Sequence, residues 1–413
     1  MSLVSFDNST FPLEDLQENP ARYVKRLERA KVAPGFALCL CTTGTTPLKL
    51  VIRRYGSLLH LAGWPEDGHR HKRGSCPFYK DPDASRATGG GDSNAAIVAT
   101  PTGLNVKLDA ALTLRDVTPG TRGVGSPSTT RTSRRSATLL AFLQALWTEA
   151  GLNQWTGLST NRHWGLCNAL LLAEVGTALI NGAEAQNVLH IMRRFDEADR
   201  VAINAEFDAF IARLVSNAQG TTQRGLVIGE INEVTPTQYG HALSLRQSAR
   251  KYYASSTLID HAAKTFRHAW TARGDRAARV VALLLVERTS KGHLKLIDLA
   301  AMLCSATYIP CDSIHEVAMA NRLVAEHRSF LKPVRMSTDD VMLPDFVLRD
   351  TAVPTHIEVY GMNGLASYEA RKEQKRELRL SRSIPAVEWN VDREALSTVQ
   401  LPTVRKERRP IPV

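Results

Sequence analysis

Two groups of side chains in this 413-residue chain have types and spacings that can do chemistry. The first lies in LPDFVLRDTAVPTHIEVYG, residues 343–361, where Asp345 follows a proline and Glu358 stands between Ile357 and Val359 in an apolar, β-prone run. A carboxylate buried in such a run is costly unless it is paired or holds a cation. Phosphodiester hydrolysis draws on a divalent ion that binds the phosphoryl oxygen and lowers the pKa of the attacking water. Mg²⁺ prefers oxygen ligands, so Asp345 and Glu358 from neighbouring strands, with the Val359 carbonyl, make a candidate site for Mg²⁺ or Mn²⁺. The residue two positions after Glu358 is Tyr360, which supplies no positive charge at neutral pH.

The second group is Cys39-Leu40-Cys41 with HLAGWPEDGHRHKRGSCPFY, which carries His60, His69, His71 and Cys76. Residues two apart on a strand project to one face, so Cys39 and Cys41 can grip one ion. Cys76 and one of His69 or His71 would complete a tetrahedral set of sulfur and imidazole nitrogen, and an ion held wholly by protein is a structural zinc. Spacing does not choose between the histidines; His71, separated from Cys76 by four residues, is preferred. The alternative is a pair of packed strand thiols beside a solvated His-rich loop. The basic HRHKR can also touch phosphate, with or without metal.

These residues need elements to position them. GFALCLC and LKLVIRRYG read as a hairpin across TTGTTP, within a strand-rich stretch to about residue 110. DVTPGTRGVGSPSTTRTSRRS reads as a basic linker whose Arg122, Arg131, Arg134 and Arg135 add sequence-independent phosphate affinity. Helix follows in SATLLAFLQALWTEAGLNQW, with a Ser cap and a stop at Gly151, then in NRHWGLCNALLLAEVGTALING and VLHIMRRFDEADRVAINAEFDAFIARL. Beyond these, LVIGEINEV and HALSLR read as strands, YYASSTLIDHAAKTFRHAW as helix, and VVALLLVERTSKGHLKLIDL as two strands joined by Ser-Lys-Gly. Trp147, Trp155 and Trp164 read as core anchors, Cys167 and Cys304 as core thiols, and Cys311 as a thiol open to exposure.

Composition narrows the partners. Lys and Arg number 52 against 41 Asp and Glu, a net charge of +11 that favours nucleic acid over an anionic membrane surface. The N-terminus has no signal-peptide pattern and VVALLLV is too short to span a bilayer, so a cytoplasmic protein with no membrane partner is expected. GGGDSN lacks the Lys of a phosphate loop, which argues against an ATP-driven motor.

Towards the C-terminus the predicted order is helix (SIHEVAMANRLVAEHRSF), strands (LKPVRM, DFVLRD, HIEVYG), helix (LASYEARKEQKRELRLS) and strand (AVEWNV). That αβββαβ order resembles the core of the PD-(D/E)xK nuclease superfamily, with Asp345 and Glu358 at its metal-ligand positions. The resemblance implies that Glu316 on the first helix assists. It also implies that Lys372 or Lys375, three apart on the second helix, replaces the lysine missing at residue 360, beside a phosphate-facing Arg371. Two alternatives stand: the same fold with activity lost, and an unrelated, salt-bridged Glu358. The expected fold is α+β and multidomain: a β-rich zinc module (1–114), the linker (115–136), a helical then mixed middle (137–300), the restriction-endonuclease-like domain (301–400) and a basic tail (401–413). The landmarks CLC, LHLAGWP, CPFY, LLAFLQALWTEAGLNQW, LPDFVL and IEVYG are also similar to a bacterial family carried on plasmids and integrative conjugative elements. That family implies a mobile-DNA setting, with other mobile-element proteins as partners, more than a reaction. The expectation is a metal-dependent nuclease or, alternatively, a non-catalytic DNA-binding or assembly protein with an inactive nuclease-like domain.

Overall fold

The computed structural model describes residues 2–42, 46–72, 75–80, 96–100, 103–115, 137–159, 161–176, 178–215, 221–334, 343–361 and 366–405. Arg122, Arg131, Arg134 and Arg135, the GGGDSN segment and the end of the basic tail lie outside the described residues. The chain divides into two compact units, Met1–Ala150 with Trp164–Arg273 and Val280–Met302, and Gly151–His163 with Gly274–Arg279 and Leu303–Val413.

In the first unit, five antiparallel strands pair in the order Ser9–Pro12, Leu3–Phe6, Ala37–Cys39, Leu48–Tyr55, Leu58–Gly63. The expected hairpin is present, with Cys39 opposite Leu48 and Ala37 opposite Leu50. Alternation along Leu48–Tyr55 buries Leu48, Leu50 and Ile52 against Val4, Phe6, Leu16 and Leu27. Two of these, Leu16 and Leu27, come from the helices Leu13–Glu18 and Val24–Val32, which the strand-rich reading of this stretch did not include. Each such buried leucine contributes roughly 1.5–3 kcal/mol of transfer free energy.

The helices Leu139–Glu149 and Trp164–Val175 form where their apolar runs predict them. The first is capped by Thr138 rather than by the serine two residues earlier, the Thr138 side chain accepting from the Ala141 amide. Trp147 and Trp164 are buried with rings 6.5 Å apart, and the Trp164 indole donates to the Met192 carbonyl. They are core anchors.

Two stretches predicted as helix begin as strand. Leu189–Ile191, at the head of VLHIMRRFDEADR, pairs in parallel with Leu226–Ile228, and helix follows only from Arg200 to Ala212. Ser248–Ala254 takes in the Lys-Tyr-Tyr-Ala before the helix Ser256–Thr265, burying Tyr252 and exposing Tyr253. Short runs fit either period, and pairing with strands distant along the chain decided both.

Those partner strands form a barrel. Its five strands are Gly225–Thr237, Gly240–Leu245, Ser248–Ala254, Ala278–Arg288 and Leu294–Ser305. The first pairs antiparallel with the fourth through Gly225–Glu230 and with the second through Ile231–Thr237, bending at an irregularity between Ile231 and Glu233. The second pairs antiparallel with the third, the third parallel with the fifth, and the fifth lies beside the fourth, closing the ring. Side chains such as Leu243, Leu245, Tyr252, Leu283 and Leu296 are buried within it.

In the second unit the sheet order is Ala386–Asn390, Thr355–Tyr360, Phe346–Leu348, Phe330–Leu331, Gln154–Trp155. Only the first pair is parallel, its crossover being the helix Ala366–Ser381. The helix Ile314–Ala325 precedes these strands, its first turn capped by Ser313. The chain order from residue 314 is thus α, β, β, β, α, β. The first of those strands is Phe330–Leu331, shorter and earlier than the LKPVRM expected. Trp155, buried in the upstream strand Gln154–Trp155, anchors this sheet. Cys167 and Cys304 are core thiols, and Cys311, read as open to exposure, is also buried, packed so that its thiol reaches the Ile309 carbonyl.

Candidate metal centre and carboxylate cluster

Cys39 ends its strand facing the N-terminal core, and Cys41 follows two residues later on the same side. The chain after Gly63 folds back over them through a short helical turn, Gly68–Arg70, which delivers His71 and then Cys76. Cys39 Sγ lies 3.6 Å from Cys76 Sγ, and His71 Nδ1 lies 3.4 Å from Cys41 Sγ and 3.5 Å from Cys76 Sγ. All four ligand atoms fall within 4.8 Å of one another. Zinc bond lengths set tetrahedron edges of about 3.8 Å between sulfurs and about 3.6 Å from sulfur to nitrogen. The observed separations match those edges. The Lys72 amide donates to Cys41 Sγ, stabilising charge on that sulfur.

Electrostatics agree with the geometry. The contact from Cys76, aided by His71, pulls the Cys39 thiol down to about 4, while that same contact and then burial push Cys76 up. Burial pushes Cys41 up. Three sulfurs this close cannot all carry charge without a cation among them. The Cys₃His set can hold a metal such as zinc, and among the described residues it is the one cluster of three or more ligating side chains. His69 is exposed on the turn and does not join it. His60 is a core histidine, its pKa depressed to about 4 by burial and the nearby Arg193.

The C-terminal carboxylates are placed by the other sheet. Asp345 directly precedes the strand Phe346–Leu348, its amide donating to the Ile357 carbonyl, and its Oδ2 accepts from the Val359 amide at 2.6 Å. Glu358 is buried on the adjacent strand, with Lys375 Nζ 3.0 Å from its Oε2 and Arg379 Nη1 2.9 Å from its Oε1. Lys375 also donates to the Leu343 carbonyl. Burial raises the Glu358 carboxyl, Lys375 opposes that, and Asp345 adds to it.

Glu316 is buried near the start of its helix, 2.7 Å from Lys332 Nζ, and accepts from the Asp312 amide. Its carboxyl is pushed up to about 8, by burial first and by Asp345 and Asp312 besides, with Lys332 opposing. Asp345 therefore acts electrostatically on both Glu316 and Glu358.

Of the two helix lysines, Lys375 meets the carboxylate. Lys372 lies over the Tyr360 ring, 4.3 Å from its centroid, and 3.7 Å from Glu369. The Tyr360 phenol, pushed up by burial, approaches Glu388 at 3.4 Å and stays neutral. The side chain of Arg371 lies outside the described residues. Two buried cations at this cluster were missed in the sequence, Lys332 and Arg379. Arg379 stands one helical turn beyond Lys375, a spacing that was itself a signal. Lys332 stands in an apolar run, as Glu358 does, and the same cost of burial applied to it.

Among curated proteins and solved structures none matches this chain. A family model described as a protein of unknown function, DUF1173, matches residues 14–391, taking in both the Cys₃His set and the carboxylates. On that coverage the chain belongs to the DUF1173 family.

Proposed function

We propose that the chain is a metal-dependent nuclease that hydrolyses phosphodiesters, DNA in the first place. One observation carries this reading: the helix Ala366–Ser381 brings Lys375 to 3.0 Å from Glu358, so a cation that Tyr360 cannot supply stands at the carboxylate. Asp345 and Glu358 are the groups that would hold Mg²⁺ or Mn²⁺, together with the Val359 carbonyl, and Glu316 would assist. Asp345 raises the proton affinity of both glutamates, and that crowded negative charge suits a divalent ion. When bound, the ion would neutralise phosphoryl charge and make water a better nucleophile. Lys375 orients water or phosphate against Glu358, Arg379 fixes the Glu358 carboxylate, and Lys332 holds Glu316. At the other end, the Cys₃His set would hold a structural zinc that ties the loop 64–76 to the N-terminal sheet. The reaction would take place in the cytoplasm on mobile DNA, the latter by resemblance to the plasmid-borne family.

A second reading, a non-catalytic DNA-binding or assembly protein, is favoured by Arg379: with Lys375 it engages both oxygens of Glu358. Incubating the purified protein with single- and double-stranded DNA and Mn²⁺ separates the two. Cleavage is expected, falling about 100-fold or more in Glu358→Ala and Lys375→Ala. No cleavage by the wild type would leave the second reading, and undiminished cleavage by Glu358→Ala would overturn the assignment of the site.

A further inference from the structure

The barrel of the first unit offers a second nucleic-acid site, remote in sequence from the carboxylates. Its ring order is first, second, third, fifth, fourth and back to first, with the third and fifth strands parallel and the helix Ser256–Thr265 between the third and fourth. That is the connectivity of an OB-fold, the five-stranded Greek-key barrel that takes ligands on the face of its second and third strands, between the 1–2 and 4–5 loops.

The residues on that face have the chemistry of a single-strand platform. Tyr253 on the third strand is 42% exposed, although most large aromatic surface is buried on folding. It pairs in register with Ala242 on one side and Lys295 on the other, so a small residue and a cation flank its ring. The 4–5 loop supplies His293, whose ring meets Tyr253 edge-on at 5.5 Å, and the exposed Lys291. The 1–2 turn supplies Tyr239, 88% exposed, and closes at Gly240, where any Cβ would collide with the Ala254 carbonyl. Because His241 pairs with Ala254, both loops converge on the Tyr253 end of the face.

Charge selects the occupant. Residues 225–305 carry eleven Lys and Arg against six Asp and Glu, and Lys251, Lys291 and Lys295 are exposed on or beside this face. Lys251 has Glu233 at 4.0 Å, a loose pair open to exchange for a phosphate. Aromatic rings that stack on bases, interleaved with lysines that follow a backbone, describe a site for single-stranded nucleic acid. Duplex DNA offers no free base faces to such a platform.

We infer that the outer face of the barrel's third and fifth strands with the adjoining 1–2 turn, centred on Tyr253 with Tyr239, Lys251 and Lys295, binds single-stranded nucleic acid by base stacking and phosphate contact. The site stands independently of the proposed nuclease reaction.

The test is fluorescence anisotropy of a labelled oligo(dT) strand with the full-length protein, without divalent metal, against the same length of duplex and against a neutral oligosaccharide as competitor. Single-strand binding should weaken about tenfold or more in Tyr253→Ala, with Tyr253→Phe retaining it because the ring remains. Lys295→Ala and Lys251→Ala should each flatten the salt dependence of binding. Leaving out the divalent metal separates this site from the carboxylates. Wild-type affinity in both Tyr253→Ala and Lys295→Ala would overturn the inference. So would a preference for duplex, displacement of the strand by the oligosaccharide, or no binding at low salt.

Discussion

At the residue scale, the arrangement assigns unequal roles to two lysines that the sequence left equivalent. Lys375 touches Glu358, whereas Lys372 is engaged by the Tyr360 face and Glu369. Lys372→Ala should therefore cost Mn²⁺-dependent cleavage less than about threefold, against the ~100-fold expected of Lys375→Ala in the same assay. Glu316 provides a pH signature. Its carboxyl is pushed up to about 8 from an ordinary value of 4.5, so the folded chain keeps a proton there that the unfolded chain has released. Its contribution to stability is thus complete below the ordinary value and is lost as pH rises through about 8. Thermal unfolding followed from about pH 5 to about pH 9 should show a greater loss in the wild type than in Glu316→Gln. Parallel curves would remove Glu316 from the titrating cluster.

At the element scale, the N-terminal loop depends on its Cys₃His set. Among the described residues between Gly63 and Cys76, one short helical turn gives the loop regular structure, and the inward groups are His71 and Cys76. Protein purified without added metal should carry about one equivalent of zinc per chain by elemental analysis. Cys39→Ser and Cys76→Ser should bring that content near zero, and a chelator should lower the unfolding temperature. His69→Ala should keep the metal, whereas His71→Ala should not. The Cys-x-Cys pair and its strand were legible because period-two alternation fixes which way both thiols face. The choice of His71 was not settled by spacing, because it depends on how the loop turns back, with the Lys72 amide meeting Cys41. The strands Leu189–Ile191 and Ser248–Ala254 were illegible for a related reason: each has a partner far along the chain, and three to seven residues fit either period.

For the whole molecule, the excess of positive charge predicts binding that salt weakens. If about four phosphates are neutralised, affinity for DNA should drop about 100-fold between roughly 50 and 200 mM salt. Titration at several salt concentrations measures that slope, and a flat line would argue against phosphate contact altogether.

Taken alone, the sequence determined the residue types that carry the chemistry and the order α, β, β, β, α, β around Asp345 and Glu358. It did so because periodicity, turns and the cost of burying charge are local properties. Tertiary structure decided which lysine reaches Glu358, that Arg379 and Lys332 join the carboxylates, and that five strands close into a barrel exposing Tyr253. Each of these is a meeting of side chains or strands from separate elements. Their partners are set by packing and register, which spacing along the chain does not encode.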